Sequence, residues 1–310
     1  MANERIFYAL QQVEIGDGAA SETMTALKGV QSVGMSSTTN VESVSAFGSI
    51  EATTILQDMD LEITVENALG SDWTNALGAG GYSSFDSTFF DTKRTVTLHY
   101  LTDTGTTKLI ELNAILTAYS VQLGTDGPAT ESITFANAGA SVFTTGADGT
   151  ALPTQDVSVC NVITRPKFTR FRKTTYPECC VNTTDTPADM DKVQSFSASF
   201  DVGSEKISAL GQSQPLHKFA TFPAEISAEV EVHVDPSTSI GLINSGSINA
   251  TTLSMDDVCH DIAIVMPGNW YDMEKMRLSS VSRSGGDVGG GNVAISQSFT
   301  GFNTFAYSTS

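Results

Sequence analysis

Carboxylates at alternate positions are the pattern in this sequence with the clearest capacity for chemistry. In Asp58-Met59-Asp60-Leu61-Glu62-Ile63-Thr64-Val65-Glu66, polar residues hold every even position and apolar residues every odd one. Glu225-Ile226-Ser227-Ala228-Glu229-Val230-Glu231-Val232 repeats the arrangement, with Glu225, Ser227, Glu229 and Glu231 in register. On a strand, alternate residues share a face, so each run predicts one wet face and one core face. Acid–base catalysis needs titratable groups whose environments push their pKa values apart. Equivalent carboxylates along one face form a row of like charges instead. Two readings follow: an ordinary solvated sheet face, or the wall of a channel that repels a polyanion and so lets it slide.

Other reactive residues do not assemble into a known constellation. His99, His217, His233 and His260 stand in no zinc-site spacing. Cys259-His260 is adjacent, and neighbours on a strand point to opposite faces. Cys160, Cys179, Cys180 and Cys259 are few, irregularly spaced and absent from residues 1–150. They read as reduced thiols made in a cytosol rather than a secreted disulfide framework. Gly285-Gly286-Asp287-Val288-Gly289-Gly290-Gly291 lacks the Lys-Ser/Thr of a phosphate-binding loop and reads as a connection between strands. There is no Gly-x-Ser-x-Gly elbow. The expectation is a protein that is not an enzyme, with no catalytic residues, no bound metal and no cofactor. The one basic cluster is Arg165, Lys167, Arg170, Arg172 and Lys173, five of the sixteen Lys and Arg. It is either a solvated strand face or a surface that docks on the acidic surface of a neighbouring subunit.

The elements that must position these groups are mostly strands. Alternation predicts strands over Ile6–Ile15, Gln31–Ser37, Val41–Ala46, Thr95–Leu101, Leu109–Val121 and Glu131–Thr144, and then over Val157–Ile163, Gln194–Val202, Glu205–Ala209, Asp261–Met266, Glu274–Ser282 and Val293–Tyr307. Ser71–Leu77 predicts a short helix capped by Ser71 or Asp72, with a counterpart near Ser237–Ser245.

The two acidic runs belong to a longer repeat. A shift of 163 residues (193 − 30) aligns Val30-Gln31-Ser32 with Val193-Gln194-Ser195, and also matches Ser36, Glu42, Ser45-Ala46, Gly48, Glu62-Ile63 and Glu66 with their counterparts. Phe135 and Phe299 match at nearly the same offset. The expected organisation is two tandem units, residues 1–150 and 151–310, with the boundary in Gly146–Pro153. Each is a mainly β sandwich or open barrel with one short helix.

The formal charge is −19, which opposes tight wrapping of nucleic acid, because phosphate binding needs Lys and Arg. Only 16% of residues are charged, so the surface is dressed with Ser, Thr, Asn and Gly and is covered by partners at little desolvation cost. Residues 1–15 lack the pattern of a secretory leader, and no run is long enough to span a membrane as a helix.

At Arg5–Val13, Val30-Gln31-Ser32-Val33-Gly34, Gly48-Ser49-Ile50 and Leu61–Gly70, the chain resembles major tail tube proteins of tailed bacteriophages. The likeness is strongest over residues 5–70, with a weaker copy in the second half. A typical member has one such domain and stacks as hexameric rings. The duplication departs from that pattern, and the resemblance to duplicated tube proteins implies three copies closing a pseudo-hexameric ring. It further implies a virion protein of the tail, made in the host bacterial cytoplasm. Its bore would pass DNA and the tape measure protein without binding them. Its other partners would be its own copies and the tail sheath, terminator and baseplate hub proteins, with no membrane contact. On this view Asp58, Asp60, Glu62, Thr64, Glu66, Glu225, Ser227, Glu229 and Glu231 face the lumen, and the Arg165–Lys173 cluster makes contacts between subunits or rings. Loops Leu69–Lys93 and Cys179–Met190 would clasp neighbouring rings or a sheath. The alternatives are a trimeric baseplate hub or tail-completion protein, and a carbohydrate-binding β-sandwich using Trp73, Trp270 and Tyr271.

Overall fold

Alternating sequences dominate the chain, and in a computed structural model they form strands almost throughout. The described residues are 6–18, 21–45, 47, 52–83, 92–102, 107–139, 142–147, 162–164, 170–176, 188–189, 193–210, 215–233, 259–284, 294–302 and 304–308. The first half holds β1 (Ile6–Gly16), β2 (Met24–Ala26), β3 (Val30–Ser45), β4 (Ala52–Ala68), α1 (Ala76–Ala79), β5 (Arg94–Thr102), β6 (Thr107–Gly124), β7 (Thr130–Asn137) and β8 (Thr144–Ala147). The second holds β9 (Arg170–Tyr176), β10 (Ala188–Asp189), β11 (Val193–Asp201), β12 (Ser204–Ile207), β13 (His217–Ala220), β14 (Glu225–His233), β15 (Cys259–Met266), β16 (Asn269–Ser284), β17 (Ala294–Gly301) and β18 (Thr304–Ser308). The fold is mainly β and antiparallel.

The order of pairing is the same in both halves. In the first it runs β3-β4-β7-β6-β5-β1-β2, with β8 also on β6. In the second it runs β11-β14-β17-β16-β15-β9-β10, with β18 also on β16. The two series join where β6 pairs with β11. Irregularities coincide as well. Between β3 and β4 the register shifts after Val30, and between β11 and β14 it shifts after Val193. β6 shifts against β7 between Leu116 and Ala118, and β16 shifts against β17 between Leu278 and Ser280. A β-bulge bends a strand and raises its twist. Here each bulge falls where a long strand changes neighbours, from β5 to β11 in β6 and away from β15 in β16. The same latch holds both: Thr117 Oγ1 donates to the Thr134 carbonyl (3.1 Å), and Ser279 Oγ donates to the Ser298 carbonyl (2.9 Å).

Apolar faces meet in one core that runs through both halves. Leu61, Ile63 and Val65 of β4, Ile133 and Phe135 of β7, and Leu112, Leu116 and Tyr119 of β6 cluster with Val13 and Ile15 of β1 and Val96 and Leu98 of β5. Phe196, Phe200, Ile226, Val230, Ile262, Ile264, Met273 and Phe299 continue that cluster. Under the β6–β11 joint, Tyr119 stacks on Phe200 (5.5 Å between centroids), and Phe305 meets both rings edge-on. β15 and β16 are joined by Pro267-Gly268, and Gly268 has φ +78°. Proline followed by a positive-φ glycine is the signature of a tight turn of type II. A Cβ on Gly268 would also strike the Ser71 carbonyl.

Several elements differ from expectation. The helix is α1, Ala76–Ala79, and its cap is Asn75, whose Oδ1 accepts from Gly78 N at 2.7 Å; neither Ser71 nor Asp72 caps it. Where two strands are expected over Gln31–Ser37 and Val41–Ala46, Val30–Ser45 is one, because bulge-linked pairing to β4 carries through Asn40. Glu131–Thr144 and Val293–Tyr307 each divide in two, since β7 and β17 end before β8 and β18 return to pair with β6 and β16. Cys259 is disulfide-bonded, which corrects the reading of four reduced thiols. Its partner, the Ser237–Ser245 helix, the Gly285–Gly291 loop and most of Gly146–Pro153 lie outside the described residues. Past that proposed boundary, the chain returns to the first half: Ile163 N donates to Leu69 O (2.9 Å), and Ile163 O accepts from Ala129 N (2.8 Å). No helix among the described residues is long and apolar enough to cross a membrane.

Candidate functional site

The joint between β6 and β11 merges two four-strand sheets into one, in the order β3-β4-β7-β6-β11-β14-β17-β16. One face of this sheet is the core. The other is mostly polar, with Ala68, Ala118 and Ala136 interrupting it, and its cross-strand rows can be followed residue by residue. One row runs Ser32, Glu66, Ser132, Ser120, Ser199, Ser227 and Thr300. The next runs Thr130, Gln122, Ser197, Glu229, Ser298 and Ser280. On the other side of the first row lie Thr64, Thr134, Ala118, Asp201 and Glu225.

Hydroxyls tie the carboxylates down. Ser32 Oγ donates to Glu66 (2.7 Å), Ser195 Oγ to Glu231 (3.2 Å) and Ser296 Oγ to Glu229 (2.7 Å). Thr64 and Thr134 share a hydrogen bond at 3.1 Å, and so do Ser199 and Ser227 at 2.8 Å. Short hydroxyl side chains bonded across strands make a flat surface whose side chains have little freedom to reach out. At the β16 end of the first row, Arg277 stands opposite Thr300.

The residues expected on this face therefore fall together. Glu62, Glu66, Glu225, Ser227 and Glu229 are exposed on it, and Thr64 and Glu231 are half-buried among their neighbours. Asp58 lies on β4, with its side chain outside the described set. Asp60 differs: it takes Lys218 Nζ at 3.3 Å and Lys206 Nζ at 3.9 Å, so its charge is met by the β12–β13 hairpin. Of the basic cluster, Arg170, Arg172 and Lys173 sit on β9 between β15 and β10, and Arg165 and Lys167 lie outside the described residues.

A second polar assembly went unseen in the sequence. Glu131 points to the core side of β7 and is 2% exposed. Its Oε1 accepts from Ala76 N (2.7 Å) and Asn67 Nδ2 (2.9 Å), and its Oε2 from the Tyr119 hydroxyl (3.0 Å). The Tyr119 and Tyr271 hydroxyls are hydrogen-bonded at 2.9 Å, and Asn75 Nδ2 donates to Tyr271 at 2.9 Å. One carboxylate thus anchors the start of α1 and links it to both halves. Burial raises the Glu131 pKa above its ordinary value, and the three donors oppose that shift. Burial likewise pushes Tyr119 and Tyr271 well above the usual tyrosine range. The signal that would have found Glu131 is its odd position in the β7 alternation, aligned with Ile133 and Phe135.

Histidines and aromatics have structural places. His99 meets Glu14 at 3.2 Å, His260 packs edge-on against Phe299, and His217 stacks on Phe219. Trp73 and Tyr271 are buried, which removes two of the three rings considered for sugar stacking. Among the described residues, no group of three or more His, Cys, Asp or Glu side chains could hold a metal ion. No family model matches the chain, and no curated protein matches it.

Proposed function

We propose that this chain is a structural protein that assembles with copies of itself into a hollow tube, of the kind tail tube proteins of tailed phages form, with the polar face toward the bore. The observation that carries this reading is the joined eight-strand sheet, whose one face carries a carboxylate or hydroxyl side chain in every strand from β3 to β17. Glu62, Glu66, Asp201, Glu225, Glu229 and Glu231 would repel a passing polyanion. Among the described residues, the bonded Ser and Thr rows between them carry no Lys or Arg from β3 to β17, and Arg277 stands only at the β16 end. The two halves are the same unit in tandem, as their shared pairing order and bulges suggest. Three chains would then supply six units to a ring. The tube, its tail setting, and contacts with sheath, terminator and hub proteins belong to this reading.

Electron microscopy of the purified protein tests it. Hollow tubes built of threefold rings are expected. Rings or trimers that never elongate would favour a hub or completion protein, and monomers at high concentration would overturn assembly altogether. The bore is tested separately with Glu62→Lys and Glu66→Lys in one chain. Tubes should still form while DNA delivery falls; loss of tubes would make this face an interface rather than a lumen.

A further inference from the structure

β6 and β16 are equivalent strands with unequal surroundings. Beyond its bulge, β6 has β7 on one side and β11 on the other over Ala118–Asp201 pairing to Gly124–Ser195. Beyond its own bulge, β16 has β17 on one side over Ser280–Ser284, and no described strand on the other. β3 and β11 differ in the complementary way. β11 lies between β14 and β6, whereas β3 pairs with β4 alone among the described strands. Among the described residues, one joint is therefore satisfied internally, and both halves of a second copy of that joint have no strand beside them. Open edges present rows of unpaired N–H and C=O groups, which bind another strand readily.

The bulges set how those edges would meet. The β6 and β16 bulges superimpose Leu116 and Ala118 on Leu278 and Ser280, a shift of 162 (278 − 116). The β11 and β3 bulges superimpose Val193 and Ser195 on Val30 and Ser32, a shift of 163 (193 − 30). Carried through those shifts, the internal pair Ser199–Ser120 becomes Ser36–Ser282, Phe200–Tyr119 becomes Ser37–Val281, and Ala198–Val121 becomes Met35–Arg283. The faces agree: Ser36 stands opposite Glu62 and Ser282 opposite Ser296, both on the polar face. Met35, 44% exposed in the single chain, falls on the side that is core at the internal joint. Ser37 takes the core-side position of Phe200 in this register, so the match rests on the polar face, where a slip of one residue would set Ser36 against Val281 or Arg283 instead of Ser282.

We propose that the β16 edge Ser280–Ser284 of one chain pairs antiparallel with the β3 edge Gly34–Thr38 of a second copy, with Ser36 directly opposite Ser282. The contact is head-to-tail, so it leads to a closed ring or an open filament. It rests on the self-assembly in the reading above, and on neither the bore nor the phage setting.

Disulfide trapping in the full chain tests it. Ser36→Cys with Ser282→Cys places the new thiols on directly opposite positions, where Cβ atoms are about 5 Å apart; Ser36→Cys with Ser280→Cys places them on a diagonal, about 7–8 Å apart. All three serines are exposed, so folding should be unaffected, and circular dichroism checks this. Under mild oxidation the first pair should give a ladder of cross-linked oligomers, several-fold stronger than the second pair or the unsubstituted protein, and collapsed by reductant. Equal ladders from both pairs would overturn the register. Rings in the microscope with no ladder from the first pair would overturn this joint and leave assembly standing. A ladder without tubes would uphold the joint and sink the tube. Neither rings nor ladder would sink both.

Discussion

β7 and β17 hold the same place in their two halves, yet each buries a polar residue in a different way. With Phe135 aligned on Phe299, Glu131 corresponds to Ile295 and Ile133 to Gln297. Glu131 sits among three donors, one of them the first N–H of α1. Gln297 is fully buried between Val230 and Val281, and neither its Oε1 nor its Nε2 has a hydrogen-bond partner. The comparison separates two roles for buried polarity. In the first half it fixes a helix and knits the halves together. In the second it is a cost, because an unsatisfied buried amide forfeits its hydration with nothing in return.

The strongest way to break this comparison is Glu131→Ala. It leaves Asn67, Ala76 N and Tyr119 facing a cavity, and a loss of about 3–5 kcal/mol is expected by chemical denaturation, in line with breaking a buried, fully partnered group. A loss below about 1 kcal/mol would mean that the network does not anchor α1. The opposite sign is expected for Gln297→Leu, a gain of about 1–3 kcal/mol from removing an unsatisfied buried group. If that variant is instead less stable, or stable but unable to assemble, Gln297 acquires a partner in the assembled state.

Smaller effects test the features the halves share. Thr117→Val and Ser279→Ala each remove one latch at a bulge, and each should cost about 1 kcal/mol. Unequal costs would show that the two bulges are held differently despite matching geometry. The last test concerns pH. Burial raises the Glu131 pKa, so the folded state favours its protonated form, and this contribution is full below the ordinary value of 4.5 and lost as pH rises through the folded value. Glu131→Gln mimics the protonated form at every pH. The stability of the natural protein relative to this variant should therefore fall as pH rises above 4.5; a flat difference would place Glu131 in a setting as polar as water.

Period-two alternation made the strands and the sidedness of β4 and β14 readable, because which face a strand residue takes is a local property of the extended backbone. The candidate face was legible for the same reason, including seven of its nine expected members as exposed or half-buried neighbours. Asp60 broke from the rest because Lys206 and Lys218 come from a hairpin distant in sequence. The helix lay near its expected place, yet its cap moved to Asn75, where a tertiary partner, Glu131, takes the next free N–H.

What the sequence by itself determined is the mainly β class and the polar and apolar faces of its alternating strands, both of which follow from local spacing. Only the tertiary structure decided that β6 bends at Thr117 to leave β5 and meet β11, that this joint merges two sheets, and that no described strand completes the same joint at β16 and β3. Those outcomes depend on hydrogen bonds between strands far apart in the chain, and residues that make such bonds through their backbone carry no side-chain mark of the partner they will find.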